Sequence, residues 1–251
     1  LVRGPGQRPG ITHRSKNARF LRSANSTLLY PGYKCASDRI AQRRLPLLAR
    51  SGNNLLDWLL DPSFPLAVVI VEGVQAAKEN EVEASLVADL CTTLRTYLSH
   101  GSDSDFWLNG LFVVSPHRAQ GRLIRRKLAE ARKWTSAPFV DTVDKMQGQE
   151  AEAVIVSYGV SDPEFAVQEG EFIYSRNRLN VAMTRGRTKS ILILSRPLLD
   201  PLPDVLENEP AAEGLAFMRA LVQLVSDTGE TRIEQRSPGI QLRLHRTGAV
   251  H

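Results

Sequence analysis

Two short apolar runs in the second half of the chain place the strongest limit on its fold. They are residues 153–158 (AVIVSY) and 190–194 (SILIL), rich in β-branched residues and without polar alternation. Strands of this kind are covered on both faces, as in a parallel sheet. Similar runs at 66–71 and 111–114 alternate with helical patterns. The sequence therefore predicts an α/β fold, a doubly wound, mainly parallel sheet with helices on both faces.

The remaining pattern supplies the other elements. Asn80 can cap a helix whose apolar residues follow helical spacing, namely Val82, Leu86, Val87, Leu90, Leu94 and Leu98. Further patterns predict a helix over 119–131, a short strand at 139–140 and a helix over 215–225. Breaks are expected at Pro201, Pro203 and Pro210, and Ser237-Pro238-Gly239 could turn an edge hairpin. We divide the chain into a basic, partly irregular segment (1–60), a main domain (61–200), and a C-terminal helix with a basic tail (201–251).

Two polar blocks lie between the apolar runs. They are residues 140–150 (VDTVDKMQGQE) and 175–187 (SRNRLNVAMTRGR). Their positions next to strands put them near sheet edges, where α/β proteins bind ligands. Hydroxyl, amide and guanidinium groups, with a glycine that allows close backbone approach, are the groups that hold phosphate and ribose.

Composition and charge indicate which compartment and which binding partners suit the chain. The 251 residues carry a net charge of +5, and residues 1–50 hold eleven Lys or Arg against the single acid Asp38. Such asymmetry suits a phosphate backbone, and it equally suits a solvated basic segment. The two cysteines, Cys35 and Cys91, form no CxxC pair, which argues against structural zinc and favours a reducing, intracellular location. No apolar run reaches the ~20 residues of a membrane span. Because Leu1 replaces an initiator Met, we expect a fragment of a longer protein.

Three segments carry a family resemblance. Residues 142–150 (TVDKMQGQE) resemble motif V of superfamily 1 helicases, and 179–185 (LNVAMTR) resemble motif VI. Residues 113–120 (VVSPHRAQ) resemble the family's strand followed by "TPYRAQ". The nearest branch contains the nonsense-mediated-decay and Okazaki-fragment-processing helicases. The resemblance covers residues 60–200 well and the first fifty poorly. It implies the second, C-terminal RecA-like domain of a helicase motor. Residues 80–84 (NEVEA) also resemble the family's "NxxEA" helix start, although a plain amphipathic packing helix is the preferred interpretation.

The resemblance assigns nucleotide-site residues by position. Arg185 occupies the arginine-finger position, with Arg187 as the alternative, and would stabilise charge on the γ-phosphate. Glu150 would accept hydrogen bonds from the ATP ribose, or simply start a helix. Gly148 would serve a tight turn or a close backbone approach. Arg14 matches the family's N-terminal Tyr-Arg motif imperfectly, and Lys16 is its rival.

The resemblance also implies a single-strand site and its coupling to the nucleotide. Thr142 matches a position that contacts nucleic-acid phosphate, and Ser115, His117 and Arg118 could act from the earlier loop. For His117 the alternative is a solvated or capping role. The basic helix of residues 118–133 could line the strand track, and the alternative is a solvated, charge-rich face. Asp144 and Gln147 are expected to couple the two sites rather than bind either ligand.

Missing motifs limit what this chain can do alone. No GxxxxGK[ST] occurs, and no acid pair of the Walker B kind follows a strand. We therefore expect ATP and Mg²⁺ to be shared with an N-terminal RecA-like domain, and this chain alone to hydrolyse no ATP. Two functions stay open: the C-terminal half of an ATP-dependent helicase acting on single-stranded DNA or RNA, and a noncatalytic RecA-like module that binds nucleic acid or protein. Another Rossmann-like enzyme is disfavoured, because GxGxxG is lacking.

Overall fold

A single seven-stranded sheet organises the protein in a computed structural model that describes residues 42–75, 78–146 and 148–247. The strands are β1 (Leu66–Glu72), β2 (Leu111–Val114), β3 (Val140–Asp141), β4 (Ala151–Ser157), β5 (Gly186–Ser195), β6 (Glu230–Ser237) and β7 (Ile240–Arg246). Their order is β3-β2-β4-β5-β1-β7-β6. The first five in this order are parallel, whereas β7 runs antiparallel to β1 and β6 antiparallel to β7. The predicted doubly wound, mainly parallel sheet is confirmed.

Helices connect the strands. The α-helices are α1 (Asn54–Leu60), α2 (Glu81–Tyr97), α3 (Asp103–Asp105), α4 (Arg118–Ala131), α5 (Pro163–Gln168), α6 (Gly170–Ile173), α7 (Arg176–Met183), α8 (Arg196–Leu199) and α9 (Glu209–Thr228). A π-helical turn (Phe106–Gly110) precedes β2, and 3₁₀ turns lie at Val143–Met146 and Pro203–Glu207. None of the helices in the described part of the chain combines the length and apolar character needed to cross a membrane.

Each face of the sheet carries its own hydrophobic core. Along β1, Val68 and Ile70 belong to one core and Val69 and Val71 to the other, as side-chain alternation requires. Helices α7 and α9 pack on the first face, and α1, α2 and α4 on the second. This two-sided burial explains why the central strands read as continuous apolar runs.

Capping explains where the long helices begin. The Asn80 side chain accepts hydrogen bonds from the backbone N–H groups of Val82 (3.0 Å) and Glu83 (3.1 Å), which confirms the predicted cap. Helix α9 is longer than the predicted 215–225, because Pro210 lies in its first turn and does not break it. Proline is tolerated there, since the first-turn N–H groups have no partner within the helix.

The C-terminal segment completes the sheet. Residues around Ser237-Pro238-Gly239 turn a β-hairpin, as the sequence predicted, and Gly239 adopts a positive φ of 78°. Strand β6 lies at the edge, while β7 pairs with β1 and buries Leu242 and Leu244 in a core. The basic residues of this segment therefore belong to a strand pair of the main sheet.

Helix α1 falls in the segment 1–60, which the sequence predicted to be partly irregular. Lys189 of β5 is fully buried beneath its C-terminal end and donates to the carbonyl oxygens of Asp61 (3.2 Å) and Phe64 (2.5 Å). Burial lowers the pKa of Lys189 to about 7, since the charged form loses its hydration. Both carbonyl groups belong to the turn that follows α1, so Lys189 ties this turn to the sheet.

Candidate functional site

An open groove of about 340 Å³ lies where strands β2 and β3 end. We call it the carboxyl-edge groove; its walls are Ser115, His117, Arg118, Gly121, Arg122, Arg125, Val140, Asp141, Thr142 and Lys145. All four residues assigned to nucleic-acid contact from the sequence are among them. The structure thus brings together positions that lie up to 27 residues apart in the chain.

The groove is strongly basic. Arg118, Arg122 and Lys145 are exposed, and none has an ion-pair partner within the residues that the structure describes. Arg125 donates to the backbone oxygen of Val140. The only acid in its wall is Asp141, whose carboxylate accepts from the N–H of Thr142 at 2.8 Å. An open surface of unpaired cations attracts a polyanion.

The outer face of helix α4 differs from its groove face. Arg126 bonds Glu81 at 2.7 Å, and Lys127 lies 2.8 Å from the same carboxylate and 3.6 Å from Glu130. The helix is therefore a solvated, self-neutralised surface on one side and an unpaired cationic wall on the other. The solvated, charge-rich face that was the alternative for residues 118–133 describes the outer side of the helix.

The two hydroxyl groups of the groove differ in availability. Ser115 is 2% exposed, and its Oγ donates to the backbone oxygen of His117 at 3.2 Å. Its hydroxyl therefore fixes the loop after β2. Thr142 is half-buried, and its hydroxyl has no hydrogen-bond partner among the described residues. Thr142 can therefore donate to a ligand at no cost to the fold.

His117 is a packed ring rather than a solvated loop residue. Its imidazole lies 5.3 Å from the Phe165 ring and 5.4 Å from the Phe172 ring. It makes no capping hydrogen bond at the start of α4, and its buried Nε2 has no partner in the described part of the chain. Burial lowers its pKa, an effect that Glu169 opposes and Lys78 reinforces. Near pH 7 His117 is therefore neutral.

A buried polar network lies behind the groove, and the sequence analysis missed it. Glu83 is fully buried and accepts from the Ser157 hydroxyl (2.8 Å), the Gly159 N–H (2.9 Å) and the Ser195 hydroxyl (3.1 Å). Gln120 donates to Ser157 at 3.1 Å. The network thus ties the carboxyl ends of β4 and β5 to helices α2 and α4.

Asn80 extends the same network, and Gly159 has to be a glycine in it. Besides capping α2, Asn80 donates through Nδ2 to Ser195 (3.1 Å), and its N–H donates to Gln120 (2.8 Å). Gly159 has a φ of 71°, and a Cβ there would lie 2.4 Å from the Gln120 side chain. In the sequence, the signals that could have indicated this network were the NEVEA and RAQ segments and the two serines that follow apolar runs, Ser157 and Ser195.

The protonation of Glu83 is shifted by its surroundings. Burial raises its pKa to about 7, although the hydrogen bonds from Gly159, Ser157 and Ser195 work in the opposite direction. A carboxyl group with this pKa changes charge near neutrality. Helix α2 is thus an amphipathic packing helix, as preferred, that also carries a titrating group into the sheet edge.

A second group of predicted residues lies at the opposite edge of the sheet. Glu150 precedes β4, Arg185 precedes β5, and Arg187 follows within β5. Arg187 lies 3.9 Å from Glu150 and 3.4 Å from Glu152. We call these four residues the amino-edge cluster. Strand β4 separates it from the carboxyl-edge groove by about 20 Å at ~3.3 Å per residue.

Arg185 is held by its backbone and not by its side chain. Its N–H donates to Ala182 at 3.2 Å, and its carbonyl accepts from Ala151 at 3.1 Å, next to the first β4–β5 pair. The side chain is half-buried, and the buried Nε has no hydrogen-bond partner in the described residues. Such a group is available to an anionic ligand.

Three other predicted residues can be judged less fully. Gly148 is exposed and has a φ of 80°, with open space where a Cβ would lie, so a tight turn accounts for the glycine. Arg14 and Gln147, like the rival Lys16, lie outside the described residues.

Asp144 joins the two polar blocks. Its carboxylate lies 3.9 Å from the Arg178 guanidinium, which also stacks 4.2 Å from the centre of the Phe172 ring. Asp144 follows the groove residue Thr142, while Arg178 belongs to α7, the helix that ends just before Arg185. This contact spans the two blocks on the surface.

Comparison with known proteins gives a consistent result. A family model described as "AAA domain" matches residues 25–196. The "DNA replication ATP-dependent helicase/nuclease DNA2" of Mus musculus is 30% identical over 215 residues, covering 77% of this chain and 19% of that protein. The Arabidopsis thaliana "DNA replication ATP-dependent helicase/nuclease JHS1" is 26% identical over 179 residues, covering 67% and 12%. The Saccharomyces cerevisiae "DNA polymerase alpha-associated DNA helicase A" is 30% identical over 120 residues, covering 48% and 16%. The chain spans less than a fifth of the length of these relatives.

Proposed function

This chain belongs to the AAA-domain family of superfamily 1-type helicases, in the DNA2/Upf1-like branch, and from that premise we propose that it forms the C-terminal half of an ATP-dependent helicase or translocase. In this proposal the carboxyl-edge groove is part of the single-strand track, and the amino-edge cluster faces the nucleotide. The relatives named for DNA replication favour DNA over RNA as the strand, and a place inside the cell.

One observation carries the proposal: the four residues assigned to strand contact line one groove in which three cations are unpaired. Thr142 would donate its free hydroxyl to a phosphate oxygen, while Arg118, Arg122 and Lys145 would neutralise neighbouring phosphates. Ser115 would fix the loop through its bond to His117, and His117 would present a neutral ring.

The nucleotide half of the proposal rests on the amino-edge cluster. Arg185 would direct its guanidinium at the phosphate chain, for which the unpartnered Nε makes it suitable, and Arg187 is the alternative. Glu150 would accept from the ribose, next to the turn at Gly148. ATP supplies the phosphoryl group that is transferred to water. Since the chain has no GxxxxGK[ST], an N-terminal RecA-like domain would hold Mg²⁺ and most of the phosphate contacts.

Coupling between the sites would pass through Asp144 and Arg178. The Asp144–Arg178 ion pair joins the 3₁₀ turn after Thr142 to helix α7, so a strand phosphate that moved this turn would also move α7 and Arg185. We also assign a coupling role to Gln147, which belongs to the same segment, on its position in the sequence alone.

The competing function is a noncatalytic module that binds a strand without turnover. The absence of a P-loop from this chain favours it, and the groove is compatible with both functions. The two functions differ in whether a longer protein that contains this chain hydrolyses ATP.

The first test measures ATP hydrolysis by such a longer protein, with and without single-stranded DNA or RNA. The motor predicts turnover that a strand stimulates, while this chain alone binds the strand and hydrolyses nothing. Strand binding without any hydrolysis by the longer protein would establish the noncatalytic module instead.

The second test addresses the groove. Replacing Arg118 and Arg122 together by Ala should weaken strand binding on the order of tenfold and lower the slope of log affinity against log salt by about 0.7 per lost phosphate contact. Arg126→Ala is the matched control, because Arg126 lies on the same helix but bonds Glu81. Equal losses in the control would mean that the groove is not the strand site.

A further inference from the structure

We propose that the single-strand track continues beyond the carboxyl-edge groove, around the edge strand β3, into a second basic groove beside Trp134. This inference rests on the proposed function, since it extends the same strand. The second groove consists of two clefts of about 310 and 420 Å³. We call them together the β3-edge groove; its walls include Trp107, Leu108, Arg125, Arg132, Lys133 and Trp134.

The three clefts form one continuous surface because they share walls. Arg125 borders all of them. Val140 and Asp141 separate the carboxyl-edge groove from the first cleft, and Ala137 and Pro138 separate the first cleft from the second. Arg125 is fixed there by its hydrogen bond to the Val140 carbonyl. A chain bound at Thr142 can therefore pass over β3 without leaving the surface.

Charge in the β3-edge groove follows the pattern of the first groove. Lys133 is exposed and has no ion-pair partner among the residues described. Arg132 is 31% exposed, and its guanidinium lies 3.4 Å from the Asp103 carboxylate, which also binds Arg95 at 2.6 Å. Together the walls of the two grooves hold six cations, namely Arg118, Arg122, Arg125, Arg132, Lys133 and Lys145, against Asp141, and the buried Asp103 pairs with Arg132. This imbalance fits a polyanion.

Aromatic groups line the floor of the second groove. The Trp134 indole N–H donates to the Leu128 carbonyl at 2.9 Å, which fixes the ring at the end of α4. The Arg132 guanidinium stacks 4.4 Å from the Trp134 ring centre, and Trp107 lies 4.8 Å from it on the protein side. The Trp107 Nε1 is buried and unpartnered in the described region. Stacking surfaces combined with cations are what proteins use to bind single strands without sequence preference.

The geometry favours a nucleic-acid strand over a peptide strand. A peptide that bound by β-addition would need a row of free backbone groups, but β3 is only two residues long. The groove instead runs beside α4, which at ~1.5 Å per residue extends about 21 Å along it. Leu108, which is 62% exposed at its rim, offers an apolar surface to a base.

Strand length provides the test. A strand held at Thr142 has to follow α4 for about 21 Å to approach Lys133, so we expect longer strands to gain most from the β3-edge groove. We would measure the affinity of this chain for oligothymidylates of about 4 to 16 nucleotides, a range typical of single-strand sites. Lys133→Glu should weaken binding of the longest strands on the order of tenfold, with a shallower salt slope, and leave the shortest unchanged. Arg126→Glu, on the outer face of the helix, is the charge-matched control.

A second readout does not depend on charge. Long strands should quench tryptophan fluorescence by stacking on the Arg132 guanidinium that covers the Trp134 ring, short strands should not, and Trp134→Phe should remove most of the quenching while leaving the fold intact. Equal weakening of all lengths by Lys133→Glu, no weakening at all, or quenching that survives Trp134→Phe would overturn the extended track. If the Arg118 and Arg122 replacements leave even short strands unaffected, the proposed function itself fails.

Discussion

The two edges of the sheet hold their arginines in opposite ways. At the carboxyl edge, Arg118 and Arg122 extend into an open groove with no carboxylate partner in the described chain. At the amino edge, Arg187 lies against two carboxylates, Glu150 and Glu152, and Arg185 keeps a buried nitrogen without a partner.

This difference indicates which ligand each edge can bind alone. Unpaired, exposed cations need nothing further to attract phosphates, so we expect the carboxyl edge to bind a strand in this chain by itself. Carboxylates beside Arg187 already neutralise part of the amino edge and would repel a free triphosphate. In the proposed motor, the amino edge would therefore become a nucleotide site only when a facing domain supplies the remaining phosphate and Mg²⁺ contacts.

The largest expected effect tests the amino edge. In the proposed motor, Arg185→Ala should lower ATP turnover by roughly 10³-fold, as for known arginine fingers, because the guanidinium would act on charge that develops during transfer. Strand affinity should stay within about twofold, since the groove lies about 20 Å away. Turnover and strand binding measured on the same preparations test both expectations.

Arg187→Ala distinguishes the role of Arg187 from that of Arg185. Its guanidinium is already shared between Glu150 and Glu152, so its loss should cost much less turnover than the loss of Arg185. The opposite ranking would transfer the finger role to Arg187. A loss of strand affinity in the Arg185 variant would end the separation of the two edges.

The next effect concerns the buried acid behind the groove. The pKa of Glu83 is raised from 4.5 to about 7, so the folded state binds a proton more tightly than the unfolded chain. Its contribution to stability is complete below pH 4.5 and is lost as pH rises through 7. A shift of this size corresponds to about 3 kcal/mol. Between pH 4.5 and 8 the wild type should therefore lose about that much stability relative to Glu83→Gln.

Urea unfolding of both proteins across this range measures the difference directly. The comparison with the variant is needed because other groups also titrate in this pH range. Burial lowers the pKa of His117 and of His245, and a lowered histidine pKa makes the free energy of unfolding rise with pH. Lys189, whose pKa is lowered from 10.5 to about 7, adds stability only as pH rises from 7 to 10.5. A difference between wild type and variant that does not change with pH would mean that Glu83 is not a titrating, buried acid.

Sequence predicted much of the sheet because strand burial is recorded in local composition. The parallel strands covered on both faces had to be apolar throughout, and residues 111–114 were located without error. Helix α1 was missed because its seven residues, NLLDWLL, are too few to show a helical period. Helix α7 was missed because arginines and asparagines hide its three buried residues, Leu179, Ala182 and Met183. Pro210 was misread because a first-turn proline and a chain break look alike in sequence.

For the candidate sites, too, the sequence predicted local features but not contacts between distant residues. The family resemblance predicted four members of the carboxyl-edge groove, namely Ser115, His117, Arg118 and Thr142. It could not predict which cations are paired, since Arg118 and Arg126 lie on the same helix and only Arg126 bonds Glu81. The Glu83 network joins residues as far apart as Asn80 and Ser195, so it exists only through the fold. In the sequence, its members look like an ordinary helix cap, an acid at a helix start and serines at strand ends.

The smallest expected effect tests the link between the edges. Asp144 and Arg178 are both partly exposed, and such pairs contribute only ~0.2–1 kcal/mol, so Asp144→Asn and Arg178→Gln should leave the fold intact. If the pair passes strand binding to Arg185, each replacement should reduce strand stimulation of ATP turnover by up to about fivefold. The double replacement should then be no worse than either single one, because each already breaks the same contact. Effects that multiply in the double variant would mean that the two residues act separately, and the edges would have to communicate through the Glu83 network instead.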